Sequence, residues 1–186
     1  MMMPELTGKR LELLREISPK LSRVAFLAHR GDPSHKLFVK EAQDAGRNRA
    51  VRVQPLIVER PEAFESAFSA MKRERADALV IQPLFINTLG HGRQLADLAA
   101  KNALPTISDA DVFAEVGGLM VYGPNPLATY ERVATYVDRV LKGAKPAELP
   151  VEQPLKFELV INLKTAKQIG LTIPPIVLAR ANRVIR

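Results

Sequence analysis

The sequence predicts an α/β fold: a parallel sheet with helices on both faces. Three features carry this. Short apolar runs alternate with helix-period segments about five times. The connections between them are short. Parallel strands need a crossing element between them, and a helix is the usual one.

The elements follow in order. Leu6, Leu11, Leu13, Leu14 and Ile17 give a helical apolar spacing, closed by Ser18-Pro19. Arg23 to Ala28 is a buried strand. Asp32 or Ser34 caps the next helix, with Pro33 near its first turn. That helix runs from Ser34 to Gly46 with Leu37, Phe38 and Ala42 inward. Val51 to Val58 is a strand that Pro55 places at an edge or a bend. Pro61 to Arg75 is a helix with Phe64, Ala67, Phe68 and Met71 on one face. Asp77 to Ile81 is a strand, Gln82 to Asn87 a loop, and Thr88 to Asn102 a helix. Pro105 to Ile107 is a short strand, and a short helix from Asp109 ends at Gly117-Gly118. Leu119 to Tyr122 is a further strand.

Beyond Tyr122 the pattern changes. Asn125 to Leu141 is one long amphipathic helix, with Leu127, Tyr130, Val133, Ala134, Val137, Val140 and Leu141 on one stripe. Gly143 and Pro146 close it. Ala147 to Pro154 is extended. Phe157 to Ile161 alternates as a strand, and Asn162 caps a helix from Leu163 to Ile169 that Gly170 closes. Pro174-Pro175 opens a final helix carrying Ile176, Val177, Leu178, Val184 and Ile185.

Composition removes several classes of function. The 186 residues suffice for one ordinary domain or two small ones, and with 47% hydrophobic and 25% charged residues the chain is not broadly disordered. There is no cysteine, so disulfides, thiolate metal sites and cysteine nucleophiles are excluded. His29, His35 and His91 are the only histidines and do not form a metal-ligand pattern. No run approaches the roughly 18 apolar residues of a membrane span. The segment from Met1 to Leu6 lacks a basic region followed by an apolar stretch, so it is not a secretory signal; a chain starting there is expected in the cytoplasm. The net charge of +7 invites a nucleic-acid reading. The basic residues are scattered among acids, as in Lys72-Arg73-Glu74-Arg75, and Tyr122, Tyr130 and Tyr136 do not interleave with basic clusters. No nucleic-acid partner is expected; the charge favours anionic ligands through steering.

In open α/β sheets, ligands sit beyond the carboxyl ends of the strands. Four loops meet that description, beginning near His29, Gln82, Ser108 and Tyr122. They offer Arg30, Asp32, Gln82, Phe85, Ser108, Asp109 and Tyr122. These are binding groups, and no nucleophile stands beside a base. Asp109 and Asp111 lie two apart, which on a helix points them in different directions. Phosphate-binding glycine loops, a nucleophile elbow and the acidic residues of a phosphoryl-accepting receiver are missing. The expectation is a binding protein, with no catalytic residue, cofactor or metal.

Four segments resemble one family: Lys9-Arg-Leu-Glu-Leu-Leu-Arg-Glu-Ile17, Arg75-Ala-Asp-Ala-Leu79, Gly117-Gly-Leu-Met-Val-Tyr-Gly123, and the stretch from Leu141 to Pro175 with its Asn162-Leu-Lys-Thr-Ala-Lys167 string. It is the ABC-transporter substrate-binding family that includes tryptophan- and tyrosine-binding members. The resemblance covers nearly the whole chain. It implies a periplasmic-binding-protein-like (type I) second lobe, formed by residues 6–117 and 146–186. Residues 118–145 are implied to be a crossing strand-helix arm that belongs with the N-terminal lobe in full-length relatives. The resemblance implies that the N-terminal lobe is not among these residues, and that family members are exported to the periplasm. Implied partners are a small solute, such as an amino acid, and an ABC permease. Implied ligand contacts are Arg30, Asp32, Gln82, Phe85, Ser108 and Asp109, with Tyr122 and Gly123 at the hinge. The family loop after the first strand usually reads Asn-Pro, whereas here it is His29-Arg-Gly-Asp-Pro33, so the ligand is expected to differ. Each residue serves equally well as a cap or turn. The apolar stripe of Tyr130, Val133, Val137 and Leu141 is expected to drive self-association, a homodimer or higher assembly through residues 118–145, with folding back on the chain's own lobe as the alternative. A transport-deficient interaction module is the alternative function.

Overall fold

The computed structural model describes residues 6–152 and 156–186. Fourteen elements are used below: α1 (Leu6–Ile17), β1 (Arg23–His29), α2 (His35–Arg47), β2 (Arg52–Val58), α3 (Phe64–Arg73), β3 (Ala78–Ile81), α4 (Gly92–Lys101), β4 (Thr106–Ser108), β5 (Met120–Pro124), α5 (Pro126–Leu141), β6 (Phe157–Asn162), α6 (Leu163–Gln168), α7 (Pro175–Leu178) and β7 (Arg183–Ile185).

The strands form one sheet in the order β2-β1-β3-β4-β5-β6-β7. The first five run parallel. β6 runs antiparallel to β5, and β7 parallel to β6. The reversal has a simple cause. The chain leaves the sheet at the carboxyl end of β5, makes α5, and re-enters at the same edge, so the next strand must run the other way. β2 is an edge strand, and Pro55, in register with Phe26, sits where a missing N–H costs least.

Alternation along each strand feeds two cores. Val24, Phe26, Ala28, Ala78, Val80, Met120, Leu159 and Ile161 point to one face, under α1, α2, α6 and α7. Ala25, Leu27, Leu79, Ile81, Val121 and Val160 point to the other, under α3 and α4. Covering both faces is what a largely parallel sheet requires.

Several sequence expectations differ from the structure; Leu37, expected inward on α2, is half exposed, and only Phe38, Ala42 and Gly46 are buried there. The last helix is only Pro175–Leu178, and Val184 and Ile185 lie in β7. Asn182 turns the chain there: its N–H donates to Leu159 O, and its Oδ1 accepts the Leu159 N–H, both at 2.8 Å. The segment Leu84–Thr88 is a π-helical turn, and α4 starts only at Gly92. Neither Asp32 nor Ser34 caps α2 through its side chain; Asp32 Oδ1 instead accepts the Ser34 N–H at 2.7 Å, an Asx turn ahead of the helix. Asn125 and Asn162 do cap α5 and α6, accepting from the Ala128 and Thr165 N–H groups. The extended reading of 147–154 meets a 3-10 turn at Pro146–Glu148, and its last two residues lie outside the described residues.

α5 stands apart from the cores and has no buried residue. Its stripe does not fold back onto the lobe: Tyr130 is 71% exposed and Leu141 82%. A groove of about 1050 Å³ runs between α5 and residues 146–152, lined by Val133, Val137, Val140, Leu149 and Val151.

Candidate functional site

The carboxyl ends of β1, β3, β4 and β5 share one edge of the sheet, because those strands are parallel neighbours. The four loops anticipated at His29, Gln82, Ser108 and Tyr122 therefore do converge. The side chains on them divide into two layers.

The lower layer is buried and internally bonded. Gln82, 1% exposed, is its centre. Its Oε1 accepts the His29 N–H at 2.8 Å, and its Nε2 donates to Asp32 Oδ2 at 2.5 Å. Asp32 is thus spent twice, on Gln82 and on the Ser34 N–H. Ser108 is fully buried; its hydroxyl donates to Ile81 O at 2.9 Å and accepts the Ala110 N–H. The Phe85 ring is also buried, with His29 and Phe64 edge-on to it at centroid distances of 5.2 and 5.6 Å. These residues shape the edge from beneath.

His29 ties the rim to this layer. Its Nδ1 accepts the Gly31 N–H and its Nε2 bonds Glu59 O, both at 3.0 Å. A backbone N–H must donate and a carbonyl must accept, so these partners suit the ring tautomer with hydrogen on Nε2. Arg30, next along, is exposed, with its N–H on Val58 O at 2.8 Å.

Asp109 is held differently. Its Oδ2 lies 2.8 Å from Arg10 Nη2, and the two side chains are only 6% and 3% exposed. Arg10 Nε donates to Tyr122 O at 3.1 Å. Burial pulls the Arg10 guanidinium below its ordinary pKa, while the Asp109 carboxylate acts to raise it. Gly123 abuts the same place; a Cβ there would lie 2.7 Å from Asp109 O. Sequence reasoning missed Arg10. The signal was present: Arg10 interrupts the apolar face that Thr7, Leu14 and Ile17 share at helical spacing.

Among the described residues no three His, Asp or Glu side chains cluster as a metal site requires, and no helix is long and apolar enough to cross a membrane.

This edge, on this sheet, has known counterparts. Residues 4–185 match the family described as ABC transporter substrate binding protein. The chain belongs to that family. Substrate-binding proteins of ABC transporters are binding proteins rather than enzymes; they take up small solutes outside the cytoplasm and work with permeases. The chain is similar to the crystal structure of a conserved domain protein from Vibrio cholerae, at 25% identity and TM-score 0.82, covering 96% of this chain and 60% of that one. It is similar to an ABC domain from Streptococcus pneumonia in complex with L-Trp, at 27% identity and TM-score 0.81, covering 96% and 62%. A substrate binding protein with adhesive properties from Clostridium difficile shares the fold at 18% identity and TM-score 0.72, covering 94% and 58%. The ABC substrate-binding chain described here thus spans about three fifths of the length of these structures. No curated protein matches it.

Proposed function

We propose that this chain is one lobe of a two-lobed solute-binding protein serving ABC import, and that its sheet edge holds an amino acid or a similar small organic solute. The observation that carries the reading is the convergence of four loops at the carboxyl ends of β1, β3, β4 and β5, where α/β sheets bind ligands. The likeness to a structure in complex with L-Trp supports the solute class. In this reading Arg30 meets an anionic group of the solute from the rim. Asp109 faces an amine, and Asp32, Gln82, Phe85 and Ser108 give the floor its shape. Tyr122 and Gly123 form the hinge. Residues 6–117 and 146–186 make the lobe, and 118–145 reach across to a companion lobe. The solute is handed to a permease outside the cytoplasm.

A thermal-shift screen of the amino acids and aromatic acids at millimolar concentration tests this. A solute at ten times its Kd adds about 1.4 kcal/mol, a rise of about 3–6 °C for a chain of this size. One lobe supplies half the contacts and half the water exclusion, so the Kd is expected to be weak. No rise with any solute would count against the reading.

A second reading is favoured by α5. Its exposed Tyr130, Val133, Val137 and Leu141 form an apolar surface that suits a second copy of the chain, making a homodimer or larger assembly. Light scattering at tens of micromolar decides it: a monomer contradicts self-association.

A further inference from the structure

A guanidinium is an unusual occupant for the buried face of a helix. Arg10 lies between the cores and the point where the chain leaves the sheet. Such a group is tolerated only when its partners are fixed. Its partners are Tyr122 O, at the end of β5, and Asp109 Oδ2, on the loop after β4. Three elements therefore meet in one fork: α1, the β4 loop and the crossing strand.

The surroundings make that fork mechanically specific. Gly123 leaves no room between β5 and Asp109; an added Cβ would lie 2.7 Å from Asp109 O and 3.0 Å from Asp109 Cβ. Further out, Asn125 binds the two crossing strands and the arm together. Its N–H donates to Lys156 O at 2.9 Å, its Oδ1 caps Ala128, and its Nδ2 donates to Glu158. At Asn125 the start of the arm and the return strand are thus tied to each other. Between that clamp and the other strands, β5 and β6 pair only with each other, Tyr122 to Pro124 against Phe157 to Leu159, and a change in the arm's direction must bend this two-stranded ribbon. Arg10 grips the ribbon at Tyr122.

We propose that Arg10 is the positioning residue of the crossover: by holding Tyr122 O and Asp109 together it fixes the direction in which α5 leaves the lobe. Its functional meaning rests on the two-lobed reading, in which that direction sets how far apart the lobes stand. A lysine carries one ammonium on a flexible stem and does not reproduce the two-point grip of a planar fork.

The test needs no solute, so its outcome is independent of whether binding is found. The chain has no cysteine, so Lys36→Cys on α2 and Arg139→Cys on α5, both exposed, place one spin-label pair across lobe and arm. The parent pair is expected to give one narrow distance. Adding Arg10→Lys should at least double the width of that distribution. Hydrogen exchange at the Tyr122 and Gly123 amides should speed up tenfold or more, with protection at Phe26 and Val80 unchanged. The Arg10→Met/Asp109→Leu double variant removes both charges together, leaves neither buried alone, and should broaden the distance in the same way. A folded Arg10→Lys or double variant with the narrow parent distance overturns the proposal. Equal loss of protection at Tyr122, Phe26 and Val80 also overturns it, since Arg10 would then be an ordinary core residue.

Discussion

Gln82 and Asp32, fifty residues apart, are joined by a 2.5 Å hydrogen bond in the interior of the sheet edge. The bond fastens the loop after β3 to the loop after β1, and the same amide also holds the His29 N–H. Gln82→Leu leaves a buried carboxylate oxygen and a backbone N–H without partners. It should cost about 2–4 kcal/mol in urea unfolding, at the level of two unsatisfied buried groups. Asp32→Asn keeps an acceptor for the Ser34 N–H but turns an amide donor against the Gln82 Nε2 donor, so it should cost about 1–3 kcal/mol.

Asp77 governs part of the acid response. Partial burial raises its pKa, but N–H groups of Ser22 and Arg23, the Ser22 hydroxyl and the Arg23 charge outweigh that, and the net direction is down. Asp77 Oδ2 accepts both N–H groups at 2.8 Å. A carboxylate with a lowered folded pKa stabilises the fold above its unfolded value, near 3.9, and that share is lost as pH falls through the folded value. Asp77→Asn should therefore lower stability at pH 7 by up to about 1 kcal/mol after solvent screening. The gap from the parent should narrow as pH falls below the unfolded value and close once pH passes below the lowered folded value, in urea melts.

Ala50 and Ala103 are exposed, and each lies between a helix and the next strand with φ of 53° and 49°. An L side chain pays about 1–2 kcal/mol there, and glycine does not, though glycine loses about 0.4–1 kcal/mol through the unfolded chain. Ala50→Gly and Ala103→Gly should each stabilise by about 0.5–1 kcal/mol in thermal or urea melts.

The α5 stripe makes the opposite prediction to a core. Val137 is half exposed in the isolated chain, so Val137→Lys should change monomer stability by no more than about 0.5 kcal/mol. If a second copy covers the stripe, the same substitution should abolish the assembly in light scattering.

Much of this architecture was readable from local pattern. Five alternations of strand and helix imply parallel strands, and parallel strands imply one loop-bearing edge. Pro55 marked an edge strand, and Asn162 a cap, because each side chain acts on its own backbone. The rest depended on contacts far apart in sequence. Val184 and Ile185 follow a helix-like stretch and become a strand only because Asn182 pairs with Leu159. Loop polarity located Asp32, Gln82 and Ser108 at the carboxyl edge of the parallel strands but could not show that each spends its hydrogen bonds inward. Arg10 was passed over because its two partners lie about a hundred residues downstream.

The most direct test of the account is backbone amide mapping by two-dimensional NMR while L-tryptophan or a solute found in the thermal screen is added. Saturable shifts confined to the loops after β1, β3, β4 and β5, with Arg30, Asp109 and Tyr122 among them, are the predicted result. Saturable shifts centred instead on the α5 groove, or none with any solute at millimolar concentration, would contradict it.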